Sequence, residues 1–232
     1  MKPYVVCHMV TSTDGRILSG RWTHSPDGTR DDWTAAYAAI HDTLNADAWI
    51  VGRVTMAEMS KAASHPPSSF PEPPRPHHFA RKKAKAYAIA LDPSAKLHFD
   101  KAEIDGDPIV VLLGRETAAS HLAELVADGV SYLVSEGDEI DLAATLEALG
   151  RELEIQRLAL EGGGGINGAF FAAGLVDELS LLIAPTLDGG TGGRALVEID
   201  GESLAGKVEL SLLGCERLDH GLAHLRYKVR AA

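Results

Sequence analysis

Two places in this 232-residue sequence put glycine where a buried apolar run ends and a helical pattern begins. The first is Val51-Gly52-Arg53-Val54-Thr55. A glycine at the carboxyl end of a strand lets backbone N–H groups come close to a ligand, and the helix that follows favours an anion at its N-terminus. Arg53 adds a charge-assisted donor and Thr55 a neutral hydroxyl. The same residues also read as a plain strand-to-helix turn with Thr55 as the cap. The second place is Glu161-Gly162-Gly163-Gly164-Gly165-Ile166-Asn167-Gly168. Four consecutive glycines are entropically costly to order, and the cost makes sense where bare backbone must lie against a pyrophosphate. A flexible linker would not sit between a core strand and the apolar helix expected from Ala169. Gly163, Gly165 and Gly168 nearly reproduce the dinucleotide fingerprint, but no acidic residue follows at a strand end to read a ribose hydroxyl. A Rossmann domain is therefore not expected. Two phosphate-competent junctions in one α/β sheet suggest one ligand with several phosphates, and an adenine dinucleotide fits.

Two carboxylates stand close to such chemistry. Glu161 directly precedes the glycines, and Asp14 lies in Thr11-Ser12-Thr13-Asp14-Gly15-Arg16, just after the first apolar run. Either can anchor an amino-substituted ring and stabilise a developing positive charge. Blander roles stand beside these: Glu161 can cap the N–H groups of the glycine run, and Asp-Gly is a common turn pair.

The elements that must position these residues alternate. Strand-like runs are Val5 to Val10, Ala48 to Val51, Tyr87 to Leu91, Ile109 to Leu113, Ser131 to Val134, Arg157 to Leu160 and Leu179 to Ala184. Helical patterns are Ala35 to Leu44, Val54 to Lys61, Glu116 to Ala127, Leu142 to Leu149 and Ala169 to Ala173. Val208 to Leu213 and Leu222 to Val229, joined by Leu218-Asp219-His220-Gly221, read as an antiparallel hairpin. This pattern predicts an α/β fold: a mixed, mostly parallel sheet with helices on both faces and a C-terminal antiparallel hairpin. No repeat or composition break divides residues 1–232, so a single domain is expected. The hairpin carries apolar residues in alternation at a sheet edge without an obvious partner. The proline-rich stretch SHPPSSFPEPPRPHH, Ser64 to His78, sits in a loop of about residues 62–80 and cannot be helix or inner strand. It reads either as a lid or binding loop, or as a tolerated surface insertion. Its histidines, His65, His77 and His78, lack fixed ligand spacing and an acidic or Cys partner in sequence, so no metal is expected.

Composition narrows the class. The apolar fraction of 45% and charged fraction of 24% are those of a globular protein, and the net charge of −11 argues against nucleic acid or anionic lipid as partner. No apolar run approaches the ~20 residues of a membrane helix. Cys7 and Cys215 share no motif and read as small side chains of a reducing compartment, so a cytoplasmic protein with a small-molecule substrate is expected.

Ile50 to Thr55 resembles the Gly-Arg-x-Thr segment of dihydrofolate reductases, and Glu161 to Gly165 their second glycine loop. The pyrimidine reductases of riboflavin biosynthesis, the reductase domains of the bifunctional deaminase-reductase, resemble this chain still more closely. Thr11 to Arg16 is similar to their Ser-x-Asp-Gly-Lys/Arg opening, and Asp47-Ala48 precedes the second strand as theirs does. Leu160 to Gly164, Gly174-Leu175-Val176-Asp177-Glu178-Leu179 and Ala184-Pro185 follow their pattern almost residue for residue. The resemblance covers nearly the whole chain. It implies a dihydrofolate-reductase-like fold and NADPH as cofactor, held by Thr11, Gly52, Arg53, Thr55, Gly163, Gly164, Gly165, Ile166 and Asn167. It further implies that Glu161 and Asp14 face the substrate as the catalytic carboxylates, that Trp22 lines the cleft, and that the protein forms a homodimer. The reaction implied is reduction of a ribosylamino group, as its open-chain imine, to a ribitylamino group on a pyrimidine phosphate.

The departures bear on substrate. The family's Asp-Asn/Asp-Pro and Leu-Thr-Val-Arg segments are missing; Met59 stands near the first acidic position and the proline-rich stretch occupies the rest. Arg75 and Arg81 are the candidates for the missing arginine, and no deaminase domain is expected within residues 1–232. A dihydrofolate reductase or other small-molecule reductase remains an alternative, with Asp31 and Asp32 near the entry to the first helix. So does a non-catalytic nucleotide-binding protein.

Overall fold

The computed structural model describes residues 1–60, 62–201 and 203–232. In chain order the strands are β1 (Tyr4–Ser12), β2 (Ala48–Gly52), β3 (His77–His78), β4 (Ala88–Asp92), β5 (Glu103–Ile104), β6 (Asp107–Leu113), β7 (Ser131–Val134), β8 (Arg157–Leu160), β9 (Glu178–Ala184), β10 (Val208–Arg217) and β11 (Ala223–Ala231). The helices are α1 (Arg30–Thr43), α2 (Arg53–Met59), α3 (Ala119–Ala127), α4 (Leu142–Glu152) and α5 (Gly164–Ala172), with a short 3₁₀ turn at Ser19–Arg21. The chain forms two compact units: Met1–Pro3 with Asp47–Gln156, and Tyr4–Ala46 with Arg157–Ala232.

The second unit is built around β1, buried along most of its length and flanked by β8 and β9, both parallel to it. β11 adds to β9 and β10 to β11, each antiparallel. The turn between them holds His220 at φ 58° and Gly221 at φ 73°, the pair of positive values that suits the twist of a hairpin. In the first unit β2, β4, β6 and β7 run parallel, with β3 antiparallel on β7 and β5 antiparallel on β6. The mixed, mostly parallel sheet and the closing antiparallel pair expected from the sequence are therefore present.

Two helix starts differ from expectation for local reasons that can be named. α1 starts at Arg30 rather than Ala35, because Thr29 and Asp32 form a reciprocal capping box ahead of the apolar period. Asp32 is used there, accepting from the Thr29 N–H at 2.8 Å and its hydroxyl at 2.7 Å. α2 ends at Met59; the expected end at Lys61 lies outside the described residues. α5 starts at Gly164, not Ala169, so half of the glycine run is helix. Glycine is a poor helix former, and this helix is held by packing instead, with Ile166, Phe170 and Phe171 buried.

The proline-rich stretch is neither helix nor inner strand, as expected. Its last two residues form the short edge strand β3, and Tyr132 Oη donates to the Pro74 carbonyl at 2.8 Å. β3 and β5, two residues each, carry no period that a sequence pattern could reveal.

Candidate active site

Glu161 leaves the carboxyl end of β8, whose Leu160 pairs with Cys7 of β1. Its Oε1 lies 2.7 Å from His41 Nδ1, which comes from the last turn of α1. Sequence reading missed His41; among the polar residues of an amphipathic helix nothing distinguished it. Around this pair the unit is polar inside. His8 Nδ1 lies 3.1 Å from Ser180 Oγ, which is 2.8 Å from His224 Nε2, and the His8 ring stacks on Tyr37 with centroids 4.2 Å apart. Burial pulls the His8 pKa down against the opposing charge of Glu161, which leaves it neutral at pH 7. Burial, and then the charge and hydrogen bond of Glu161, hold the Tyr37 phenol well above its usual range. Burial and Glu161 push the Cys7 thiol up as well, so Cys7 is an inert core side chain. Glu161 thus faces neutral, buried neighbours and one imidazole. The N-cap of α5 is Gly163, which has no side chain to offer, and the hydrogen bond of Glu161 goes to His41.

The glycines divide by what surrounds them. Gly162 and Gly163 sit at φ 125° and 79°, which a side chain would strain. A Cβ at Gly164 would run into the Ala195 carbonyl, and one at Gly168 into the Glu198 carbonyl. These two glycines admit the neighbouring 195–199 segment; the Glu198 N–H donates to the Gly164 carbonyl at 2.9 Å. A Cβ at Gly165 would meet nothing within 4 Å. Gly165 is therefore the one glycine of the run with open space, in the first turn of a helix whose N-cap, Gly163, has no side chain to offer, an arrangement that suits a phosphate. Ile166 and Asn167 point inward: both are buried, and Asn167 Nδ2 donates to the Leu196 carbonyl at 2.8 Å.

Asp14 is engaged by the protein itself. Ser12 Oγ donates to it at 2.6 Å, the Asp188 N–H at 3.0 Å and the Gly189 N–H at 2.8 Å. These hydrogen bonds, that of Ser12 first, hold its carboxyl well below the usual range, so it stays ionised and serves as an acceptor. It ties the turn after β1 to the segment after β9, with help from an Arg21–Asp188 ion pair at 3.0 Å and an Arg16 hydrogen bond to the Gly193 carbonyl at 2.8 Å. Thr11 is buried at the end of β1. Trp22 packs on Trp33 with ring centroids 6.0 Å apart and lines a hollow of about 480 Å³ with Thr29, Arg30 and Asp31. Its indole N–H is buried and has no partner among the described residues, which leaves a donor for a ligand.

In the other unit, Gly52 is the N-cap of α2 without a side-chain cap, and Thr55 lies within the helix, so Thr55 is not the cap. The Arg53 guanidinium lies 3.9 Å from the buried Asp92 carboxylate and remains 40% exposed. Both candidates for the missing arginine have protein partners, Arg81 only in an exposed pair. Arg75 donates to the carbonyls of Arg115 and Thr117, and Arg81 pairs with Glu103 at 3.0 Å.

Solved structures share this architecture. A pyrimidine reductase-like protein from Corynebacterium diphtheriae superposes with a TM-score of 0.71 at 21% identity, over 99% of this chain and 93% of its own. Acinetobacter baumannii RibD gives 0.67 at 24% identity over 98% of this chain, which spans 58% of that larger protein. The fold is thus the one these pyrimidine reductase-like proteins share. Residues 3–224 match the RibD C-terminal domain, and the chain belongs to that family of riboflavin-biosynthesis reductases. A curated relative from Methanothermobacter thermautotrophicus, 27% identical over 91% of this chain and 92% of its own, is named 2,5-diamino-6-ribosylamino-4(3H)-pyrimidinone 5′-phosphate reductase.

Proposed function

We propose that this protein, as one reductase domain over residues 1–232, reduces a ribosylamino-pyrimidine phosphate to its ribitylamino form with NADPH. The observation that carries this reading is the Glu161–His41 pair, 2.7 Å apart, one residue ahead of the positive-φ glycines that open an uncapped helix. The open space at Gly165 and the uncapped N-terminus of α5 fit a pyrophosphate. When bound, the nicotinamide supplies hydride. The protein must then hold the open-chain imine carbon toward it and deliver a proton to the nitrogen, where the C=N electron pair goes. His41 held by Glu161 can supply that proton, while the carboxylate stabilises the positive charge on the imine. Trp22 offers an apolar wall and an unused N–H for the pyrimidine. Asp14 acts at one remove, by fixing the segment after β9. The test is NADPH oxidation that depends on the pyrimidine phosphate.

Arg53 makes NADPH the expected cofactor rather than NADH. Its guanidinium is exposed at the start of α2, suited to a 2′-phosphate. Titration should give at least about tenfold tighter binding of NADPH, about 1.4 kcal/mol. Equal affinities, or a preference unchanged in Arg53→Ala, would defeat the assignment.

The same reading includes a two-fold homodimer through the closing hairpin in the cytoplasm. β10 is the outermost strand of its unit and exposes Leu210, Leu212 and Leu213, a row that solvent disfavours. Light scattering at micromolar concentration should report a dimer, and Leu212→Arg a monomer. A monomeric parent protein would refute it.

A further inference from the structure

The unit formed by Met1–Pro3 and Asp47–Gln156 holds a side-chain cluster for which the reductase chemistry has no use. His121, Glu124 and Asp128 follow one another at helical spacing along α3 and its C-cap, so they project from one face. Asp92 positions a fourth group. Its Oδ2 accepts the N–H of Lys96 at 2.6 Å and of Leu97 at 2.7 Å, folding the turn after β4 that carries His98. His98 Nδ1 lies 2.6 Å from Glu124 Oε1, and its ring stands edge-on to His121 with centroids 5.0 Å apart. The proline-rich stretch brings the fifth. His65 Nδ1 is 3.2 Å from the same Glu124 oxygen and its Nε2 is 3.1 Å from Asp128 Oδ1. The expectation that His65 lacks an acidic partner is therefore overturned by the fold, which brings two.

One ligand atom from each of His98, His121 and Glu124 lies within 4.8 Å of the others, and the same holds for His65, Glu124 and Asp128. A plain hydrogen-bonded network would use up the donors and acceptors, and this one does not. Glu124 is 1% exposed and His121 7%, yet Glu124 Oε2 and His121 Nε2 have no hydrogen-bond partner among the described residues, and neither does the buried Asp128 Oδ2. Buried polar atoms without partners call for a bound water, an ion or strain to account for them, and here three such atoms converge on one cluster.

We propose that His98, His121 and Glu124 bind a divalent transition-metal ion of the zinc class, with His65 closing the coordination from the proline-rich stretch. Imidazole nitrogens with one carboxylate are the donor set of zinc, whereas magnesium and calcium take oxygen ligands. Bonds of about 2.0–2.2 Å require the side chains to close in, His65 most of all because it groups with Glu124 and Asp128 rather than with the two other histidines, so that the ion replaces the direct His98–Glu124 contact. His65 must also exchange the 2.8 Å contact of its Nδ1 with the Ala63 carbonyl for the metal. Asp128 then holds His65 Nε2 from behind, the carboxylate–histidine–metal arrangement that orients a ligating ring. The ion would cross-link the proline-rich stretch to α3.

The experiment uses the full chain without a tag, stripped by a chelator and re-equilibrated with zinc chloride, with cobalt(II) as a spectroscopic probe. One zinc ion per chain is expected at micromolar free zinc, with a rise in Tm and cobalt bands of a nitrogen–oxygen site. His98→Ala and His121→Gln should each weaken zinc by about tenfold or more, and His65→Ala should reduce the Tm rise. The partly exposed His98 and His65 keep the test open if a variant at buried His121 fails to fold. His77→Ala with His78→Ala should change nothing. The proposal is overturned if the parent retains no zinc, if His98→Ala binds it unchanged, if the His77 and His78 variant loses it, or if magnesium alone raises Tm equally.

Discussion

The Glu161→Gln protein should bind NADPH as the parent does and turn over pyrimidine substrate about a hundredfold or more slowly, the scale of a positioned acid–base group. Gln keeps an oxygen and a nitrogen within reach of His41 Nδ1, 2.7 Å away in the parent, so the fold is spared. What disappears is the charge. Without it His41 loses the charged partner 2.7 Å away, and the imine loses the carboxylate that stabilises its positive charge. His8 and Tyr37 do not compensate, since burial holds both neutral. Single-turnover kinetics separate the effect on chemistry from that on binding. Should the variant lose only stability, or only NADPH affinity, Glu161 would be a structural group and the placement of substrate beside it would fail.

Gly165→Asp should abolish cofactor binding in a protein that is no less stable. A side chain at Gly165 enters open space, and a carboxylate in the first turn of α5 interacts favourably with the helix dipole. Toward a pyrophosphate the same charge is repulsive. At about 4 Å and an intermediate dielectric two unit charges interact by about 4 kcal/mol, so a loss of at least about a hundredfold in affinity, about 2.7 kcal/mol, is expected. Gly164→Ala provides the contrast. Its methyl group meets the Ala195 carbonyl, so the cost falls on stability and on the 195–199 segment. If Gly165→Asp binds NADPH normally, the helix N-terminus does not hold the phosphates.

The two variants differ because the fold assigns neighbouring glycines different work, and the sequence could not separate them. Self-contained features were legible: Ser131 to Val134 and Arg157 to Leu160 are strands with the expected bounds, because short β-branched or apolar runs between turns signal themselves. The closing hairpin was legible as an antiparallel pair, although β10 runs on to Arg217 rather than ending at Leu213. Features made by distant residues were not. The start of α5 was hidden because four glycines argue against a helix, and only the packing of its apolar residues overrides that. His41 acquires meaning only through Glu161, 120 positions away, and Asp14 only through Asp188 and Gly189. His65 gains its acidic partner Asp128 across 63 positions.

The central claim is tested most directly by following nicotinamide oxidation in the purified protein with NADPH and the ribosylamino-pyrimidine phosphate, and by weighing the product. The account predicts oxidation that requires the pyrimidine, one NADPH consumed per product formed, and a product heavier than the substrate by one hydride and one proton. NADPH binding without pyrimidine-dependent oxidation, or oxidation that dihydrofolate supports and the pyrimidine does not, would contradict it.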